Sequence, residues 1–232
     1  MVRIALGAVL CGMILVACSG ESRRDSAPRT MSTAEPSATG GGFLSRMNPF
    51  RNRSDGSRRG RLCGTRGLEG KRLPRITESN PECGIDRPVQ VTRVDGVALS
   101  QPAILDCETA RALRTWVRDG VRPAVGRMGG GVAELQVAAH YVCRTRNHRP
   151  GGPVSEHGRG KAIDISAIRM ADGTQMTVLN DWNDSPYSNA LRQMHNAACG
   201  PFGTTLGPGS DGMHEDHFHY DTARHPIGPI CR

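Results

Sequence analysis

The spacing of apolar positions changes along the chain, and each spacing predicts an element. Val89-Gln-Val-Thr-Arg-Val94 alternates apolar and polar residues as a half-buried strand does, and Asp95-Gly96 marks a turn after it. Asp106 is placed to cap a helix running to about Asp119, with Gly120 as its stop. Within that helix Ala110, Leu113, Trp116 and Val117 share one face, and a second short helix is expected near Pro123. Val132 to Val142 reads as a strand, Ala162 to Ile165 as a short apolar strand, and Ile168 to Val178 as a hairpin about Asp172-Gly173. Ser185 or Pro186 opens a helix that reaches about Ala198, and His217 to Tyr220 closes the series as a strand. Strands and helices mixed in this order predict an α+β domain: a small, mostly antiparallel sheet with flanking helices. Only 4% of residues are aromatic, whereas Gly and Pro number 29 and 15, which favours a loop-rich domain over a helical bundle.

The first quarter of the chain has a different pattern. Ile4 to Val16 is a nearly unbroken apolar run behind Arg3, too short for the roughly 20 residues of a membrane span and suited to the core of an export signal. It ends in Leu15-Val16-Ala17-Cys18, which resembles the lipobox of bacterial lipoproteins, whose Cys becomes the acylated first residue. An ordinary signal peptide with an incidental Cys is the alternative. Ser19 after that Cys resembles the sorting signal for the outer membrane rather than the inner one. Residues 19–62 hold few apolar groups and cannot bury enough surface to fold alone, so they are expected to form a disordered basic linker. Nine Arg against Glu21, Asp25, Glu35 and Asp55 give that arm a charge of +5 out of the chain's net +8. An exported arm of this kind meets no nucleic acid; it serves as a solvated tether or meets anionic headgroups or wall polymers. The chain thus divides into a signal (1–18), a linker (19–62) and a folded domain (63–232).

Cysteine use agrees with export. Beyond Cys11 and Cys18, six remain: Cys63, Cys83, Cys107, Cys143, Cys199 and Cys231. An even, widely spaced set in an exported chain predicts three disulfides, with the pairing left open. No CxxC spacing occurs, so a thiolate zinc cluster is not expected.

Two segments concentrate chemistry: Ser155-Glu-His157-Gly-Arg-Gly160-Lys-Ala162-Ile-Asp164 and His214-Glu-Asp216-His217-Phe-His219-Tyr-Asp221. Gly158 and Gly160 let the first turn back, so that His157 can stand over the start of the strand bearing Asp164. If the second is a strand, His217 and His219 leave one face and Phe218 enters the core. Two imidazoles and a carboxylate with an open fourth position form the donor set of a catalytic zinc site. Asp221 can orient a ligand histidine; His214 is a fourth ligand, a neighbour of the ligands or a surface group, the last two favoured because HxH supplies the better-matched pair. His140, His148, His195 and His225 carry no spacing signal and are expected at the surface; Trp116 and Trp182 read as packing residues.

The pattern SxHxxGxAxD followed by DxxH overlapping HxH resembles the zinc D-Ala-D-Ala peptidase superfamily. With Cys83-Gly84, Tyr141-Val-Cys143-Arg144, Asn147, Ala198-Cys199 and Leu206-Gly-Pro208, residues 63–232 are more closely similar to the bacterial extensin-like C-terminal domain family. The resemblance implies a zinc D-Ala-D-Ala peptidase-like fold stabilised by disulfides. It implies zinc ligands at His157, Asp164 and His219, catalytic groups at Asp216 (general base) and His217 (activation of water or support of the oxyanion), and substrate contacts at Arg144 and Ser155. Asp216 stands where the superfamily often keeps Glu.

The expected activity is that of a zinc metallopeptidase, of carboxypeptidase or endopeptidase type, acting on peptidoglycan stem or cross-link peptides. The chain is then a monomeric lipoprotein on the periplasmic side of the outer membrane, anchored through Cys18. The alternative is a non-catalytic cell-wall-binding lipoprotein that retains the fold.

Overall fold

The computed structural model describes residues 61–232. The expected signal, the Cys18 read as a site of acylation and the expected linker up to residue 60 lie outside the described residues. Leu62, at the end of the expected linker, is buried and opens a 3-10 turn, Leu62–Gly64.

Eleven strands and four α-helices follow. The first strands are β1 (Leu68–Arg72), β2 (Ile76–Thr77), β3 (Gly84–Ile85), β4 (Val89–Val94) and β5 (Val97–Leu105). Helices α1 (Cys107–Trp116) and α2 (Arg122–Val125) lead to β6 (Val132–Ala139), β7 (Ala162–Met170) and β8 (Gln175–Thr177). After α3 (Val178–Asp181) and α4 (Ser188–Ala198) come β9 (Thr204–Leu206), β10 (Phe218–Asp221) and β11 (Ile230–Cys231).

Nine strands form one sheet in the order β1-β4-β5-β6-β7-β10-β9-β11, with β8 also on β7; β2 and β3 pair apart as a small hairpin. The sheet is larger than expected and mixed, because β5 lies parallel to β6 and β11 parallel to β9. The class is α+β. Neither β1 nor β5 stands out in the sequence. In β5, Ser100-Gln-Pro102 interrupts the apolar pattern, and Pro102 has no N–H to donate. Side chains replace the missing ladder there: Gln101 Nε2 donates to the Val137 carbonyl at 3.0 Å, and the Val137 N–H donates to Ser100 Oγ at 2.9 Å.

Asp106 caps α1 as its position suggests, its Oδ1 accepting from the Thr109 N–H at 2.7 Å. Gly120, expected to stop this helix, does not. The chain runs on through a π-helical turn, Val117–Val121, into α2. Gly120 is there for closeness: a Cβ would stand 2.9 Å from Ala197 Cβ of α4 and 3.1 Å from the Trp116 ring. The core lies between these helices and the sheet. Trp116 is wholly buried, its Nε1 donates to the Met194 carbonyl at 2.7 Å, and its ring meets Tyr220 edge-on at 5.0 Å. His195, expected at the surface, is buried among Trp182, Phe218 and Tyr220. Its Nε2–H donates to the carbonyl of Arg232 at 2.8 Å. It shares the inner face of α4 with Leu191, Met194 and Ala198.

Three disulfides form: Cys63–Cys107, Cys83–Cys143 and Cys199–Cys231. Among the described residues no helix is long and apolar enough to cross a membrane.

Candidate metal centre

Both chemical segments reach one point beside the centre of the sheet. His157 sits in a 3-10 turn, Glu156–Arg159, capped by Ser155, whose Oγ accepts from the His157 N–H at 3.4 Å. Gly160 ends that turn in the left-handed region at φ 66°. A side chain is excluded there twice, by the backbone conformation and by Ile85 Cδ1, 2.2 Å from where a Cβ would lie. The chain then enters β7, which carries Asp164. Across the antiparallel ladder His219 of β10 is the register partner of Asp164, so the two side chains leave the same face. Phe218, next in the alternation, enters the core as expected.

His157, Asp164 and His219 are all buried and can offer one ligand atom each within 4.8 Å of one another. His157 Nε2 lies 3.2 Å from Asp164 Oδ2 and 3.2 Å from His219 Nδ1, and His219 Nδ1 lies 2.8 Å from Asp164 Oδ1. These separations suit a shared cation: tetrahedral bonds of about 2.0–2.1 Å put neighbouring donors about 3.3 Å apart.

The outer atoms of both imidazoles are fixed. His157 Nδ1–H donates to the His140 carbonyl at 2.8 Å, which leaves Nε2 facing the centre. His219 Nε2–H donates to Asp221 Oδ2 at 3.2 Å, which turns Nδ1 inward. Asp221 therefore has the orienting place foreseen for it. Burial favours a neutral Asp164, yet hydrogen bonds from His157 and His219 outweigh it and hold the carboxyl well below its ordinary range. Burial likewise opposes charge on His219, but Asp164 and Asp221 raise its pKa to about 9. The cluster thus gathers a positive charge between two buried carboxylates, and a metal ion would take over the role of that proton. Two imidazole nitrogens and a carboxylate oxygen are donors that zinc accepts.

Three further groups border the triad. His217 is mostly covered; its Nε2 lies 3.7 Å from Asp164 Oδ2, and its Nδ1–H donates to Asp216 Oδ1 at 2.7 Å. Asp216 is 66% exposed, and among the described residues its polar contact is with His217. His214 is buried, donates to Asp211 at 2.6 Å, and packs its ring 5.1 Å from His217 and 5.4 Å from His219. Arg144 and Ser155 meet through their backbones, the Ser155 N–H donating to the Arg144 carbonyl at 2.9 Å. Ser155 is buried, while the Arg144 guanidinium donates to the Thr145 carbonyl at 3.3 Å.

Sequence reasoning passed over His140. It supplies the carbonyl that orients His157, and its side chain is half-buried with a buried Nδ1 that has no partner among the described residues. Burial, then the nearby His157, lowers its pKa. A carbonyl contact leaves no trace in residue type, so no signal pointed to it.

A separate cleft of about 800 Å³ lies beside the Glu156–Arg159 turn, between the β2–β3 hairpin and the start of α1. Arg75, Arg87, Arg111, Arg159 and Lys161 line it together with five carboxylates, and it includes none of the triad. Arg75 pairs with Asp86 and Arg159 with Glu82, so its charges largely balance.

Residues 61–232 match the family model described as extensin-like protein C-terminus. No curated protein and no solved structure matches the chain. The match spans all of the described residues and both segments of the candidate metal centre, and the chain belongs to the extensin-like C-terminal family.

Proposed function

We propose that this protein is a zinc-dependent peptidase of the cell envelope that cleaves peptidoglycan stem or cross-link peptides, with a fold related to the zinc D-Ala-D-Ala peptidases. The observation that carries the reading is the buried His157–Asp164–His219 donor set beside the paired Asp216 and His217. A site made only for structure would be closed by four protein ligands; three protein donors with a proton-handling pair beside them is the pattern of a catalytic site.

When bound, zinc supplies a Lewis acid that polarises a substrate carbonyl and brings the pKa of its water to about 7. The chain's own residues do the rest. His157 and His219 present lone pairs because His140 and Asp221 hold their outer N–H groups. Asp216 and His217 act as one pair, joined at 2.7 Å, with Nε2 of His217 the end nearer the ligands. The pair accepts a proton from the attacking water and returns it to the departing amine, so that one amide and one water become a carboxylate and an amine. Arg144 and Ser155, on the strip of chain beside His157, are assigned to the substrate's carbonyl and carboxylate. Export through the signal, with a lipid on Cys18 at the periplasmic side of the outer membrane, would place the domain next to its substrate.

The test is digestion of purified peptidoglycan by the oxidised, zinc-loaded chain, with products identified by mass. New peptides that vanish in Asp216→Ala and His157→Ala establish the activity and name the bond. Zinc bound at one equivalent without products would replace this reading by a cell-wall-binding lipoprotein.

A further inference from the structure

Of the three metal-binding side chains, His157 has the least secure seat. Asp164 and His219 stand opposite one another on paired strands, whereas His157 hangs on a four-residue 3-10 turn. One neighbouring segment, residues 140–145, holds it at the His157 side, while the Asp106 N–H donates to the Gly160 carbonyl at the far end of the turn at 2.8 Å. The His140 carbonyl takes its Nδ1–H at 2.8 Å, the Val142 N–H donates to its carbonyl at 3.4 Å, and the Arg144 carbonyl accepts from Ser155 at 2.9 Å. Thr145 and Val154 form an isolated antiparallel bridge. That segment has left the sheet after Ala139, and no strand ladder fixes it.

What does fix it is covalent. Cys143 is bonded to Cys83, which ends the loop before β3. The bond also forms the floor of the ligand turn: a Cβ on Gly158 would lie 3.0 Å from Cys83 Sγ, 3.6 Å from Cys143 Cα and 2.8 Å from Val154 Cγ1. Gly158 therefore rests directly on the disulfide, one residue from the ligand.

We propose that Cys83–Cys143 is a positioning element for His157, so that the metal affinity of the site, beyond the stability of the domain, depends on this bond. The inference rests on the metal reading of the triad. It implies that the third ligand is locked only once the thiols have been oxidised, which couples completion of the metal centre to an oxidising compartment.

Cys63–Cys107 supplies the comparison. It joins the turn at Leu62–Gly64 to the first residue of α1, and its links to the turn bearing His157 are indirect: the Asp106 N–H donates to the Gly160 carbonyl, and Thr109 meets Thr222, whose N–H donates to the Lys161 carbonyl. Sequence separations of 44 and 60 are close enough that loop-closure entropy, which grows with the logarithm of length, favours neither bond strongly.

The experiment measures zinc affinity by chelator competition and stability by urea unfolding in the full chain. It compares wild type with the double variants Cys83→Ser/Cys143→Ser and Cys63→Ser/Cys107→Ser. The first is expected to lose about 10–100-fold in zinc affinity while still folded, as other losses of ligand support do. The second should lose stability and keep wild-type affinity. Equal losses of affinity in both, or an unchanged affinity in the first, would overturn the proposal. Should the first variant not fold, Gly158→Ala decides: it keeps the disulfide but pushes the turn off its floor. Weaker zinc binding supports the proposal and unchanged binding overturns it. A wild-type chain that holds no zinc would remove the metal reading itself, a result separate from any difference between variants.

Discussion

The two faces of β10 are built from alternate residues of one short strand, and they differ in almost every physical respect. One face carries His219 with Asp221, both polar, both buried and both tied into a charged network. The other carries Phe218 and Tyr220, wholly buried among Trp116, Trp182, His195 and Phe202. The polar face would cost several kcal/mol if its groups lacked partners. The aromatic face supplies apolar burial, on the order of 2–3 kcal/mol per large side chain. Alternation lets a four-residue strand hold a buried electrostatic cluster on one side and an aromatic core on the other.

Separating the faces by mutation is the direct way to break that comparison. Asp164→Ala removes the carboxylate shared by both imidazoles and should take bound zinc from one equivalent to almost none, measured by metal analysis after dialysis. The fold should persist at reduced stability, because Asp164 pairs with two buried imidazoles and contributes no core area. On the opposite face, Phe218→Ala should cost about 3–5 kcal/mol in urea unfolding, as fully buried aromatics do. The protein that remains folded should still bind zinc. If Asp164→Ala unfolds the domain, or Phe218→Ala abolishes zinc binding in folded protein, the division of labour between the faces is wrong.

A finer cut lies within the polar face. Asp221→Asn keeps the size of the side chain but weakens its hold on His219 Nε2, and zinc affinity should fall about 10–100-fold with little change in stability. The smallest effect is expected behind the aromatic face. Burial lowers the pKa of His195 below its ordinary 6.5, only partly offset by its bond to the Arg232 carbonyl. Below about pH 6.5 the unfolded chain therefore binds the proton that the folded chain refuses, so this component of stability shrinks as pH falls. Urea midpoints at about pH 7.5 and pH 5.5 should differ less in His195→Gln than in wild type. His140 and His214, also shifted downward, retain their share of the slope. An identical slope in the variant would show that His195 does not report on the core.

How much of this could be read in the sequence follows from what leaves a mark there. The three ligand candidates were legible because their spacing repeats a pattern of residue types, and the structure brings all three together. Helix α1 announced itself through Asp106 and an apolar face, and the hairpin from β7 to β8 through Asp172-Gly173. Strand β5 did not, since its ladder with β6 stops at Leu99 and the contact continues through the Ser100 and Gln101 side chains beside a proline. The support of His157 by the His140 carbonyl was invisible for a similar reason: any residue type supplies a carbonyl. The pairing of the cysteines was open among many arrangements and became readable only from distance.

The ladder between β7 and β10 sets where this domain can tolerate change in length. From Phe218↔Ile165 to Asp221↔Ala162 the register runs without a bulge, while the pairing of β6 with β7 is interrupted three times. A single residue inserted after His219, with the pairing beyond it kept, would turn His219 into the core and Phe218 toward His157 and Asp164, because neighbouring strand positions face opposite ways. Insertions in the chain between Asp164 and Phe218 carry no such consequence, provided both strands keep their pairing. Related chains should therefore preserve the spacing inside each ligand segment and vary freely in the distance between them.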